Sequence, residues 1–305
     1  MPQAEKSPLE IPPGLRHLPI TSRMPTVNVE TSAPAGGRAH PLGARAWPRW
    51  RDVRNYALQL ASLGIFFGCG LGVTLLAPIL RVTLGRERAL VAGRGIVRGL
   101  FRFFAWWLQT AGLFRIEYRD CERLENLSGA IVAPNHPGLL DAVFLIARVP
   151  RAVCIMRAGL MRNPCFAGAA WLAGYITNDR GPGLIRQCER KLAAGDNLLI
   201  FPEGTRTRAA AQSVNPFKSG FALAAVLTGA PIQTVLIERS GVYLGKETSL
   251  ATAARIPIDV TLQPGEVFRA REGESAKALS ARLEAYFRER LVNTDDGIRL
   301  RKRNH

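Results

Sequence analysis

The chain has 305 residues, 47% of them hydrophobic, and a formal net charge of +17. That length supports one sizeable domain with a full core plus extra segments, and that charge asks for an anionic partner, either nucleic acid or an anionic lipid surface. The five cysteines (Cys69, Cys121, Cys154, Cys165 and Cys188) show no C-x-x-C pairing and no histidine at zinc-ligand spacing; this argues against a zinc module and for reduced, buried thiols in a cytoplasm-facing protein.

Residues 1–48 are rich in Pro, Gly, Ser and Ala without sustained apolar periodicity, the composition of a disordered leader and not of a secretory signal. Between Arg54 and Arg81 lie 26 residues without a charge. As a helix, Leu58–Leu80 spans roughly 30 Å, enough to cross a bilayer. A second helix is expected from about Arg94 to Phe114. Arg94, Arg98 and Arg102 form a basic stripe, opposite an apolar face of Val97, Leu100, Phe101, Phe104, Trp107 and Leu108. That pattern suits a helix lying in the membrane interface. Residues 55–112 therefore read as a membrane segment. Arginines flank the first helix on both sides, which a re-entrant hairpin with both ends in the cytoplasm accommodates.

From residue 113 to 292 the pattern is that of an α/β catalytic domain. Phe114, Ile116 and Tyr118 alternate with Arg115, Glu117 and Arg119, as in a half-buried strand. Apolar runs follow at 130–133, 152–156, 175–177, 197–201, 232–237 and 256–262. Helical stretches at 141–148, 159–172, 184–194 and 218–227 lie between most of them. The alternation predicts a mostly parallel central sheet flanked by helices. A last helix is expected over Ala276–Leu291, and 293–305 reads as a basic tail.

Of the four histidines, His17 and His40 lie in the leader and His305 ends the chain, leaving His136 alone in the folded part. It sits in Asn135-His136-Pro137-Gly138-Leu139-Leu140-Asp141, where a strand gives way to a helix. On one continuous helix His136 and Asp141 would point about 140° apart. They can meet only if His136 is in the loop and Asp141 in the first helical turn, a break that Pro137 favours. A carboxylate on one imidazole nitrogen fixes the tautomer and leaves the other as a base; the alternative is a structural pair at a helix start. A second segment, Phe201-Pro202-Glu203-Gly204-Thr205-Arg206-Thr207-Arg208, also follows an apolar strand. Its glycine allows close backbone approach and its arginine suits phosphate, though the same residues also make ordinary turns.

The two segments together resemble the glycerolipid acyltransferase family, typified by the 1-acylglycerol-3-phosphate acyltransferases. That family carries an Asn-His, four residues, Asp motif followed by Phe-Pro-Glu-Gly-Thr-Arg. The stretch Gly174-Tyr175-Ile176-Thr177-Asn178-Asp179-Arg180 is similar to a middle motif, and Phe217-Lys218-Ser219-Gly220 to a Phe-Lys-x-Gly turn. Ala230-Pro231-Ile232-Gln233-Thr234-Val235 is similar to the fourth motif, with Thr234 in place of its second proline. Pro137 replaces the Ser or Gln common after the histidine.

The resemblance spans residues 95–240. It implies that His136 deprotonates an acceptor hydroxyl with Asp141 in support. It assigns the acceptor to Glu203, Gly204, Thr205 and Arg206, its phosphate to Arg206, Arg180 and Lys218, and a channel to Pro231. Acyl-CoA or acyl-acyl-carrier-protein is the implied co-substrate, without metal or bound cofactor. The implied partners are a membrane lipid acceptor, an anionic membrane surface and acyl-carrier protein, with no nucleic acid. The implied location is the cell (inner) membrane, with the domain facing the cytoplasm. The departures at Pro137 and Thr234 suggest a specialised lipid or glycolipid acceptor as an alternative. A non-catalytic basic lipid- or nucleic-acid-binding protein is the rival class. The sequence shows no helix-turn-helix or zinc-finger pattern, and it lacks the Gly-x-Ser-x-Gly elbow of a serine hydrolase.

Overall fold

The computed structural model describes residues 50–179, 182–208, 211, 213–241, 256–294 and 297–300. The expected leader and the basic residues 301–303 lie outside the described residues. Helix α1 (Trp50–Leu84) is followed across Gly85 (φ +72°) by α2 (Arg86–Thr110). The positive φ is a conformation open chiefly to glycine, and here it reverses the chain in one residue. The helices run antiparallel: Trp107 Nε1 donates to Ser62 Oγ at 2.9 Å, and Phe66 meets both Phe104 and Phe101. Both ends of the hairpin therefore lie together.

The remainder is an α/β unit around one mixed sheet, in the order β1-β7-β6-β2-β5-β3-β4. Its strands are β1 (Phe114–Tyr118), β2 (Ile131–Pro134), β3 (Ala152–Met156), β4 (Ile176–Thr177), β5 (Asn197–Leu199), β6 (Ile232–Ser240) and β7 (Ile258–Phe268). Pairing is parallel for β1–β7 and throughout β6-β2-β5-β3-β4, and antiparallel for β6–β7. Helices α3 (Glu122–Glu125), α4 (Asp141–Ile146), α5 (Pro164–Ala173), α6 (Pro182–Ala193), α7 (Gly220–Thr228) and α8 (Ala276–Arg290) complete the layers. The period-2 alternation of β2 is explicit. Val132 joins the cluster formed with α2 and α4, whereas Ile131 and Ala133 join the one formed with α6, α7 and α8.

Three expectations change. The predicted helix 159–172 is divided: a 3-10 turn (Ala158–Arg162) precedes α5, because Asn163 caps the Cys165 N–H at 2.9 Å and Pro164 starts a new helix. The predicted tail beginning at residue 293 is partly sheet. Strands β8 (Leu291–Thr294) and β9 (Gly297–Leu300) form a hairpin, and β9 pairs with β6 through Arg239 and Ser240. Four-residue strands carry too little alternation to be seen in sequence. The stripe of α2 faces outward only in part: Arg102 is exposed, whereas Arg94 and Arg98 turn toward the protein. Arg94 is buried against Asp196, which also holds Arg151 at 2.8 Å, and Arg98 donates to the Arg148 carbonyl at 2.9 Å. Desolvation by burial lowers the Arg94 guanidinium below its ordinary range while Asp196 opposes the fall. The helix is thus fastened to the sheet layer by its arginines as well as by Phe104 and Leu108.

Helix α1 is also packed on one side. Gly70 meets the Cys165 backbone, Thr74 meets Gly168, and Ala77 is buried. A side chain at Gly70 would drive into the Cys165 carbonyl, so glycine is needed for this close approach of α1 to α5. The opposite side leaves Leu71, Leu75, Ile79 and Val82 exposed.

Candidate active site

The C-terminal end of β2 delivers the first motif and that of β5 the second, neighbouring strands with parallel register. Asn135 fixes the exit of β2. Its side chain donates to the Ile237 carbonyl at 2.9 Å and accepts the Ile237 N–H at 2.7 Å. This continues the β2–β6 ladder one step past the last strand residue. His136 and Pro137 then lie in a loop, and Asp141 opens α4. The helix starts at Asp141, not at Pro137, so the backbone amides near Pro137 are not a helix start. The Gly138 N–H is already donated to Asp141 Oδ2 at 2.7 Å.

His136 Nδ1 lies 2.8 Å from the same Asp141 Oδ2. Asp141 is 1% exposed. An ionised carboxylate only accepts, so the contact places the imidazole proton on Nδ1 and leaves Nε2 with its lone pair. No described residue bonds Nε2, and the ring keeps 18% of its side-chain surface. Phe201 stacks on the imidazole with centroids 3.9 Å apart, limiting its rotation.

The two motif loops are clamped to each other. The Thr207 N–H donates to the His136 carbonyl at 2.7 Å, and the His136 N–H donates to Glu203 Oε1 at 2.9 Å. Glu203 also accepts from Thr207 Oγ1 at 2.8 Å and, through Oε2, from the Asn215 N–H at 2.9 Å. It is 2% exposed. Expected among the acceptor-binding groups, Glu203 is instead turned inward with its lone pairs occupied by protein donors. Burial raises its carboxyl above the ordinary range, and the three donors pull it back down.

Gly204, Thr205, Arg206 and Lys218 are gathered around this loop. Gly204 has φ +64°, and Lys218 lies so close that a Cβ there would sit 2.9 Å from Nζ. Lys218 is anchored by its N–H on the Pro202 carbonyl at 2.8 Å while its side chain is exposed. The Arg206 carbonyl accepts from Asn215 Nδ2 at 3.0 Å, and its side chain is half-buried near the charge of Arg239. Arg180 lies outside the described residues.

Pro231 is not brought to the site. It precedes β6 and its carbonyl bonds Ile131 N at the start of β2, six residues before Ile237, or about 20 Å along the strand. Thr234, the departure from proline, is fully buried and donates to the Glu266 carbonyl at 2.7 Å, where the β6–β7 register shifts.

Four further residues complete the site: Asn135, Thr207, Asn215 and Arg239. The first two lie inside the motifs and the sequence reading gave them no role. Asn215 carries no legible signal. Arg239 carries none either: it follows Glu238 at the polar end of β6, and only the structure shows it buried.

Residues 115–238 match a family model described as Acyltransferase. A 1-acyl-sn-glycerol-3-phosphate acyltransferase of Haemophilus influenzae is 33% identical over 141 residues, covering 43% of this chain and 58% of the relative. The enzyme of that name from Pseudomonas aeruginosa is 27% identical over 208 residues, covering 65% of this chain and 77% of the relative. The chain spans about half the length of several curated relatives it matches, 54% of one from Brassica napus and 48% of one from Helicobacter pylori. A crystal structure of the 1-acyl-sn-glycerophosphate acyltransferase of Thermotoga maritima superposes with a TM-score of 0.57 at 22% identity, over 78% of this chain and 95% of that one. The α/β fold is therefore that of the Thermotoga maritima structure. Residues 115–238, which hold the His136–Asp141 pair and the loop of Glu203 and Arg206, are thus similar to the acyltransferase family.

Proposed function

We propose that the chain is a membrane-bound O-acyltransferase. It moves a fatty acyl group from an acyl-CoA or acyl-acyl-carrier-protein thioester to a hydroxyl of a lysophospholipid, with 1-acylglycerol 3-phosphate the leading acceptor. The observation that carries this reading is the 2.8 Å contact of Asp141 with His136 Nδ1, which leaves Nε2 as the base. Nε2 takes the acceptor's hydroxyl proton as its oxygen attacks the thioester carbonyl. Collapse of the tetrahedral intermediate expels the thiolate, which recovers that proton from the imidazolium. No acyl-enzyme forms, because the thioester is already activated. Arg206 and Lys218 stand on the loop beside His136 as cations for the acceptor's phosphate. The Haemophilus and Pseudomonas relatives carry the name of a 1-acyl-sn-glycerol-3-phosphate acyltransferase, which supports that acceptor.

The hairpin serves as the membrane anchor in this reading. Within Val53–Leu84 the most apolar 18 residues have a mean hydropathy of 2.1, and only 11% of them are buried. One side of α1 is packed on α5 and its two ends are those of a hairpin. The reading that follows is insertion into one leaflet, with the catalytic domain and both hairpin ends on the cytoplasmic face of the cell (inner) membrane.

The test is thioester consumption by membranes containing the protein, with acyl-CoA and acyl-acyl-carrier protein offered separately, lysophosphatidic acid as acceptor, and His136→Ala alongside. Acylation abolished in the variant supports the reading and identifies the donor. A folded wild-type protein that is inactive with every donor and every lysophospholipid refutes it.

A further inference from the structure

Behind the His136–Asp141 pair lies a guanidinium that no motif accounts for. Arg239 sits near the end of β6 and is 5% exposed. Its Nη1 donates to the Pro137 carbonyl at 3.2 Å, the residue immediately after the candidate base. Its Nε and Nη2 are buried without a hydrogen-bond partner among the described residues. A side chain on Gly138 would collide with both Arg239 Nη1 and Asp141 Oδ1, so cation and carboxylate converge on the space that a Cβ there would fill. A small crevice lined by Leu139, Leu140, Asp141, Phe144 and Arg239 joins them. Leaving two N–H groups of a buried cation unpaired is expensive, and proteins keep such an arrangement where it serves a site. A methionine or leucine would fill the same apolar surroundings at lower cost.

We infer that Arg239 is a positioning residue of the acyl-transfer site: it pins the His136 loop through the Pro137 carbonyl and sets a fixed positive charge against Asp141. This rests on the acyltransferase reading above and deepens it. The charge has a definite consequence. A cation near the carboxylate weakens its electrostatic pull on the imidazole proton, while the hydrogen bond that fixes the tautomer remains. The charged groups in contact with His136 are Asp141 from α4, on Nδ1, and Glu203 from the loop after β5, on its N–H; Arg239 from β6 acts through Asp141 and the Pro137 carbonyl, with the charge of Arg206 beside it. Burial lowers the Arg239 guanidinium and Asp141 raises it, the sign of coupling the geometry requires. An arginine stays charged in such a place.

The test uses the full chain in nanodiscs, with histidine isotopically labelled and the His136 signal assigned by its loss in His136→Gln. Arg239→Met should move the midpoint of the imidazole titration upward by at least about one pH unit, since one unit charge within about 12 Å contributes about 1.4 kcal/mol or more at an effective dielectric near 20. The acidic limb of the kcat/KM profile should move with it, and kcat on the alkaline plateau should fall about tenfold as the loop loosens. Arg239→Lys should restore the midpoint but not the full kcat. A folded Arg239→Met with an unmoved midpoint and profile overturns the inference; if Met does not fold, Arg239→Gln takes its place by the same criterion. If no neutral variant folds, Arg239 is a folding residue and the inference falls. If wild type transfers no acyl group, the acyltransferase reading fails by itself, while the titration still decides for Arg239.

Discussion

Replacing Asp141 by asparagine tests the central geometry most sharply. The amide oxygen can take the place of Oδ2, where it still accepts His136 Nδ1–H and Gly138 N–H, contacts of 2.8 and 2.7 Å in the native site. The tautomer and the loop are then preserved, and only the negative charge is lost. The amide nitrogen in the other position faces Arg239, an added repulsion. When His136 becomes an imidazolium in the transition state, a carboxylate about 4 Å from the charge centre contributes on the order of 4 kcal/mol at an effective dielectric near 20. That is about a thousandfold in kcat at 1.36 kcal/mol per decade. Asp141 is 1% exposed, so KM for the acceptor should stay within about threefold. The assay is steady-state transfer from labelled acyl-CoA or acyl-acyl-carrier protein, with a thermal melt to confirm folding. A kcat within tenfold of wild type would refute the assignment of Asp141 as the charge partner of the base. A rise in KM at constant kcat would instead make it a substrate ligand.

Glu203→Gln should lower kcat with little change in acceptor KM, because its oxygens face His136, Thr207 and Asn215 and not solvent; a KM rise above about tenfold restores it as an acceptor ligand. Its raised carboxyl also fixes a sign: the contribution to stability is complete below the ordinary value of 4.5 and declines as pH rises through the folded value, so the stability of wild type relative to Glu203→Gln should fall from pH 4.5 to 7.5 in denaturation midpoints. Asp196→Ala leaves Arg94 buried without its carboxylate, and should cost about 3–5 kcal/mol and loosen α2, read by denaturant unfolding and hydrogen exchange. Leu75→Asp with Ile79→Asp places two charges on the exposed apolar side of α1 and should weaken flotation with anionic liposomes at least tenfold, roughly 1.5–3 kcal/mol for each apolar side chain no longer buried in lipid; unchanged flotation would remove α1 from the membrane contact.

Alternation and turn residues were enough to locate β1 through β5 and the sites of α4, α6, α7 and α8, because each is a local pattern of period 2 or 3.6. The pairing of His136 with Asp141 was also legible, since Pro137 disfavours helix at His136 and only a loop there with Asp141 in the first helical turn lets the two meet. What the chain order does not contain is the direction of each side chain after the sheet assembles. Glu203 reads as a ligand in its motif, yet β5 lies beside β2 and aims its carboxylate at the His136 backbone. Pro231 belongs to a site motif by position in the chain, but the parallel register of β6 with β2 carries it to the far end of the sheet. The arginines of α2 have the spacing of a membrane-surface stripe, and only the arrival of Asp196, in the turn just before β5, turns Arg94 inward. Arg239 became visible when β6 crossed behind the Pro137 loop, a meeting across 102 positions of sequence. Local periodicity is a property of consecutive residues, whereas burial, pairing and charge partners come from elements that are distant along the chain, so the tertiary structure alone decided them.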